Sequence, residues 1–267
     1  MKRYLRALFE AFPHALVESF RQAGWRGAYL AVCTFVFRTV PVPIRVPGAG
    51  LVANWHEAVN VIDNFYLDEL RNAEVERELA AAPGPVVVDV GVNVGITIRW
   101  WLALNPRARV VGIDMLEEAL IFTKSRLEAR DAARFRDVCA AAGEASESRE
   151  IALDAPLEGT SSLLATGGRM RRTVEMRTLD ALLEEHAQGP IFLLKIDIEG
   201  YAGRALGAAN DTLRRCRFVT VEVHSPEETA LAARHLHAAG LELAIFKGRQ
   251  MWWRQGTPQS AGRVDRD

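Results

Sequence analysis

Apolar residues at three- and four-residue steps open the chain: Leu5, Leu8, Phe9, Phe12 and Leu16 predict an amphipathic helix. Pro41, Pro43 and Pro47 then impose an extended passage, since proline has no amide to donate and disfavours helix in its predecessor. Helical spacing returns over residues 66–81, and Ala82-Pro83-Gly84-Pro85 closes a first third that reads as a helical appendage or lid, 1–82. After it the texture changes. Residues 86–90 (VVVDV) form a nearly unbroken β-branched run, as expected of a strand covered on both faces. Residues 96–104 predict a helix stopped by Asn105-Pro106, 109–113 a second strand, 117–130 a second helix and 134–139 a third strand. Two more strands follow at 191–196 and 218–223, then a helix at 227–239 ending on Gly240, a residue suited to a left-handed cap. Residues 241–246 and 251–254 predict a terminal hairpin. Strands alternating with helices imply an α/β domain over 83–254, a mostly parallel sheet with helices on both faces, followed by a polar tail, 255–267.

Composition narrows the class. Of 267 residues, 49% are apolar and 25% charged, the balance of a packed globular chain. A net charge of -1 argues against a nucleic-acid partner held by bulk positive charge. The charge is unevenly spread: residues 1–50 carry seven Lys/Arg against Glu10 and Glu18, leaving the remainder acidic. Cys33, Cys139 and Cys216 are dispersed and unpaired by spacing, which predicts three buried thiols and a cytoplasmic location rather than a disulfide scaffold. The longest apolar run, residues 28–37, is half the length of a membrane span. Lys2, Arg3 and Arg6 beside the first apolar stripe suit packing on the chain's own domain or on a second copy in a homodimer. Peripheral contact with an anionic membrane is the alternative. The doublets Trp100-Trp101 and Trp252-Trp253 predict one core ring and one exposed ring each.

Chemistry concentrates at two strand ends. Asp89-Val90-Gly91-Val92-Asn93-Val94-Gly95 sits where the first strand of the domain hands over to its helix, the position of ligand-binding turns in open α/β sheets. The nicotinamide fingerprint G-x-G-x-x-G is broken by Asn93 and Ile96, so a pyrophosphate would meet a side chain. Asp114 ends the second strand, where a carboxylate can accept from both hydroxyls of a ribose. Together these favour S-adenosylmethionine, an adenosine ligand without a pyrophosphate. On this reading a valine at Gly91 fills the ligand's space and leaves the fold intact. The second cluster is Lys195-Ile196-Asp197-Ile198-Glu199-Gly200, followed by Glu222-Val223-His224. Carboxylates and a histidine in one crevice could hold a divalent cation such as Mg2+ through Asp197 and Glu222, or supply a general base, with His224 favoured.

The segments DVGVNVG at 89–95, TLDALL at 178–183, LLKIDIEG at 193–200 and VTVEV at 219–223 resemble, in that order, the FkbM family of S-adenosylmethionine-dependent methyltransferases. The resemblance covers about residues 60–245. It implies a Rossmann-like, seven-stranded methyltransferase fold whose last strand is antiparallel, and O-methylation of a sugar, glycolipid or natural-product hydroxyl. It also implies that Asp89, Gly91, Asn93 and Gly95 line the methionine end of the cofactor and that Asp114 takes the ribose. Lys195, Asp197, Glu199 and Gly200 match the second family signature, and Glu222 the acidic strand end. Gly112-Ile113-Asp114-Met115 departs from the family's Phe-Glu-Pro-like sequence there. Thr160-Ser161-Ser162-Leu163 resembles a serine-containing loop of the family. Two alternatives accompany this reading: a nicotinamide-dependent oxidoreductase on a similar scaffold, and a non-catalytic, membrane-associated module.

Overall fold

The structure, a computed structural model, describes residues 11–153, 163 and 170–256. The basic stripe at 2–9, the Thr160–Ser162 segment and nearly all of the polar tail lie outside the described residues. Twelve strands are described: β1 (Ile44–Val46), β2 (Gly50–Val52), β3 (Val86–Val90), β4 (Arg109–Asp114), β5 (Phe135–Cys139), β6 (Ala141–Ala142), β7 (Glu147–Leu153), β8 (Met170–Arg177), β9 (Ile191–Ile196), β10 (Cys216–Glu222), β11 (Leu241–Lys247) and β12 (Gln250–Gln255). Seven of them form the central sheet in the order β11-β12-β10-β9-β3-β4-β5. Pairs β10–β9, β9–β3, β3–β4 and β4–β5 are parallel, while β12 is antiparallel to both β10 and β11. The order reverses between β3 and β9, so a crevice opens beyond their carboxyl ends.

Both faces of this sheet are covered, which is why its central strands read as apolar runs. On one face the helices Leu179–His186, Ala202–Leu206, Asn210–Arg215 and Pro226–Ala238 bury Leu182, Leu206, Leu213 and Leu236 against Val88, Leu194 and Val219. On the other face the N-terminal third shares a core with Val87, Val110, Leu193, Phe218 and Trp252. Buried charge binds it there as well. Glu57 lies 2.8 Å from Arg99 and 3.2 Å from Arg126, while Arg99 also donates to the Leu51 carbonyl at 2.5 Å. Residues 11–82 are therefore part of the domain's packing.

Several elements differ from the sequence reading. The proline passage ends in a small hairpin, β1 with β2, and residues 66–81 are helical only at Tyr66, the end of the π-helix Ile62–Tyr66, and from Ala73, where Asn72 caps by accepting from the amides of Glu74 and Val75. The helix expected at 117–130 breaks into Glu117–Arg126 and Ala129–Ala132. Between β5 and β9 a second, three-stranded sheet forms in the order β6-β8-β7. All four rings of the tryptophan doublets are buried: Trp100 stacks on Phe65 at 4.1 Å, and Trp252 and Trp253 enter the cores on opposite faces of β12. The appendage supplies the cover that the sequence pattern could not show. Cys33 and Cys216 are buried free thiols, but Cys139, at the end of edge strand β5, is exposed.

Candidate active site

Register lines up polar residues across one face of the sheet. Asp89 is opposite Gly112 on one side and Lys195 on the other; Lys195 is opposite Thr220, and Thr220 opposite Trp252. Burying the charges of this row is tolerable because Asp89 and Lys195 satisfy each other, while Thr220 donates to Gln250 Oε1 at 3.2 Å. The Lys195 ammonium donates to Asp89 Oδ1 and to the Gly91 carbonyl, both at 3.0 Å, and lies 3.4 Å from Asp197. Thr97 donates to the other Asp89 oxygen. Burial opposes the ammonium, but Asp89, Asp197 and Glu222 outweigh it and hold its pKa above the ordinary lysine value. Lys195, a catalytic candidate in the sequence reading, is a buried tether joining the β3 turn to the β9 turn. Asp89 has both oxygens engaged in that tether, so it positions the glycine turn from below.

The glycine turn owes its residues to packing as much as to ligand space. Gly91 has φ +86°, and a Cβ there would meet the Asp197 carbonyl oxygen at 1.8 Å. This corrects the sequence reading, in which a larger residue would fill only the ligand's space. Gly95, with φ +67°, begins the helix Ile96–Leu104, and its missing Cβ makes room for Thr123. Asn93 is also left-handed, φ 52°, a conformation asparagine tolerates better than most residues. The Asn93 amide donates to Asp114 Oδ2 at 3.1 Å and the Leu116 amide to Oδ1 at 2.9 Å. A carboxylate offers about four acceptor positions, so Asp114 orders the turn and keeps capacity for a diol.

At the carboxyl ends of β9 and β10 the second cluster comes together. Asp197, Glu199 and His224 each place one ligand atom within 4.8 Å of the others. Glu199 is held at φ 45°, and the following Gly200 at φ 85°, so the turn after β9 doubles back toward the sheet. His224 Nδ1 is 3.8 Å from Glu199 and its Nε2 3.8 Å from Glu222. Glu222 stands outside the metal-compatible trio: its oxygens face Arg249 Nε at 3.2 Å and the Gln250 side-chain amide at 3.1 Å. Burial and the Asp197 charge push Glu222 up to about 8 despite Arg249. Among the described residues the group whose spacing could hold a metal ion is Asp197, Glu199 and His224; Glu222, paired with Asp197 in the sequence reading, lies outside it.

Three contributions were not anticipated. Glu228 accepts from the Ala202 amide at 2.9 Å and the His224 amide at 2.7 Å, tying both acidic turns to the helix that Ser225 caps. Arg249, in the terminal hairpin, reaches Glu222 and lies 3.4 Å from His224 Nδ1. From the appendage, Asp63 is pushed up to about 6 by burial and by Glu69, against the pull of Arg249. Glu69 also raises Glu222, so the appendage delivers two carboxylates to the same crevice. Lys247 bridges to Asp68 at 2.5 Å and holds that loop against the hairpin. Ser225-x-x-Glu228 was a readable capping signature; the others join through distant segments.

The sequence model of the methyltransferase FkbM domain matches residues 89–243, more than half of the chain. Among solved structures the chain is similar to precorrin-6y C5,15-methyltransferase from Geobacter metallireducens, with 12% identity and a TM-score of 0.41 over 69% of this chain and 87% of that one. It is also similar to Aeropyrum pernix fibrillarin, solved with natively bound S-adenosyl-L-methionine, with 11% identity and a TM-score of 0.40 over 65% and 68% of the two chains. No curated protein matches the chain.

Proposed function

The chain belongs to the FkbM methyltransferase family, and we propose that it transfers the methyl group of S-adenosylmethionine to a hydroxyl of a sugar, glycolipid or secondary metabolite. One observation supports this reading: Lys195 ties the Gly91 turn to Asp197, beside Glu199 and His224, at the adjoining carboxyl ends of β3 and β9. A nicotinamide reaction is not favoured, because the turn has Asn93 in place of the middle glycine.

The residues fit the cofactor in two ways. Asp114 has acceptor capacity left for a ribose diol, and three alternate left-handed residues, Gly91, Asn93 and Gly95, curl the backbone around the start of a helix. When bound, S-adenosylmethionine supplies an electrophilic methyl on a sulfonium. The chain's own task is to align an acceptor oxygen with it and take the proton that the oxygen loses. Burial makes the Glu222 carboxylate a stronger base than an ordinary glutamate, so in its ionised form it can accept that proton. His224, 3.8 Å away, is placed to pass it toward solvent. Asp197 and Glu199 face the crevice beside them and can accept hydrogen bonds from neighbouring hydroxyls, as a polyol acceptor requires. A divalent cation at Asp197, Glu199 and His224 would polarise the hydroxyl. One imidazole in the set suits Mn2+ or Zn2+ better than Mg2+, which prefers oxygen alone.

The test is methyl transfer from labelled S-adenosylmethionine to a panel of sugars, glycolipids and polyketides, with amine and thiol analogues alongside. Label on a hydroxyl that Glu222→Gln and Asp197→Asn greatly reduce supports the proposal. Transfer confined to nitrogen or sulfur acceptors would overturn the oxygen assignment and leave the methyltransferase.

A further inference from the structure

The N-terminal helical hairpin keeps one side open and apolar. In the helix Phe12–Ala23, Pro13, Val17 and Phe20 recur at four- and three-residue steps and so share a face. Val17 is 49% exposed and Phe20 57%. Gly24 reverses the chain, and Trp25, 66% exposed, follows at the bend. The opposite side of the hairpin is locked. A Cβ on Gly27 would meet the Ser19 carbonyl oxygen at 1.9 Å, so the second helix, Trp25–Val32, lies directly on the first. The outward residues cannot turn inward without parting that contact. Val36, Phe37 and Val42, in the segment that follows, are exposed as well.

The charges in this region are mostly positive. Residues 11–50 contain Arg21, Arg26, Arg38 and Arg45 against Glu18; Arg21 pairs with Glu18 at 2.5 Å and Arg45 with Glu128 at 3.0 Å, which leaves an excess of cations. The Arg26 guanidinium lies over the Trp25 ring at 5.6 Å, so a cation accompanies the most exposed aromatic. We infer that this face docks on the surface of an anionic lipid bilayer. Exposed tryptophan and phenylalanine flanked by arginine suit the headgroup boundary, where rings are half-immersed and cations meet lipid phosphates. A second copy of the chain fits less well: an isologous contact would set two net-positive surfaces against each other. The face lies on the membrane without crossing it. Its helices have 12 and 8 residues, and no helix among the described residues is long and apolar enough to span. The inference is independent of the acceptor's identity.

Co-sedimentation of the full chain with vesicles tests it, comparing phosphatidylcholine alone with an equal mixture of phosphatidylcholine and phosphatidylserine. Binding to the anionic vesicles should be at least about 10-fold tighter and should weaken with added salt. The pair Phe20→Ser and Trp25→Ser should reduce it about 10-fold or more without shifting thermal unfolding, because both side chains are exposed. Arg21→Gln with Arg26→Gln should remove the preference for anionic lipid. No sedimentation, or undiminished sedimentation of the Phe20/Trp25 variant, overturns the inference. So does a dimer seen by analytical ultracentrifugation and abolished by that variant, which would give the face to a second copy.

Discussion

Gly91→Ala separates two accounts of the glycine turn. The new Cβ would lie 1.8 Å from the Asp197 carbonyl oxygen and 2.8 Å from its carbon, both backbone atoms. The oxygen must retreat by about 1.2 Å to reach even the shortest contact real Cβ atoms show. Left-handed backbone costs alanine a further 1–2 kcal/mol or so. The Asp197 amide donates to the Val90 carbonyl at 2.9 Å, and that bond stretches if the β9 turn moves; its loss is worth about 1 kcal/mol. The sum is about 2–4 kcal/mol, or a fall in Tm of roughly 5–15 °C for a chain of this size. Because Asp197 is displaced, turnover should fall about 100-fold or more. Differential scanning calorimetry and a single-turnover methylation assay read the two effects. An alanine variant with wild-type Tm that has lost only cofactor affinity would refute the packing explanation and restore the ligand-space one.

Other perturbations have equally definite outcomes. Glu57→Gln breaks the buried contacts with Arg99 and Arg126 and should cost about 3–5 kcal/mol in denaturant titrations; a loss below about 1 kcal/mol would mean the pair does not hold the N-terminal third in place. Glu222 is raised from 4.5 to about 8, so its stabilising contribution is complete below the unfolded pKa and is lost as pH rises through the folded one. Wild-type Tm should therefore decline relative to Glu222→Gln between about pH 4.5 and pH 8, and parallel curves would contradict the shift. Asp114→Ala removes the acceptor for the Asn93 and Leu116 amides together with the diol partner. Calorimetry should show S-adenosylmethionine affinity reduced about 10-fold or more, and unchanged affinity would remove Asp114 from the cofactor site.

The parts legible in the sequence are those fixed by local pattern. The helix Ile96–Leu104 and strand β9 fall where periodicity and Asn105-Pro106 place them. The hairpin Leu241–Gln255 was visible from alternation around Lys247-Gly248. The gathering of Asp197, Glu199, Glu222 and His224 followed from their shared position at parallel strand ends. Long-range pairing was hidden. Nothing near Lys195 in sequence announces that Asp89, 106 residues earlier, will hold it. Asp63 and Glu69 sit in a segment whose helical spacing says nothing about the crevice it borders. Strands β7 and β8 lack the apolar runs of the central sheet, and their outer residues are exposed, so no pattern marked them.

The proposed function requires this crevice to bind S-adenosylmethionine for methyl transfer to oxygen. Isothermal titration calorimetry of the folded chain with S-adenosylmethionine, with divalent cation and with EDTA, tests it most directly. Micromolar affinity, lost in Asp114→Ala and indifferent to EDTA until an acceptor is added, is the predicted result. A folded chain giving no binding heat at any temperature would contradict it.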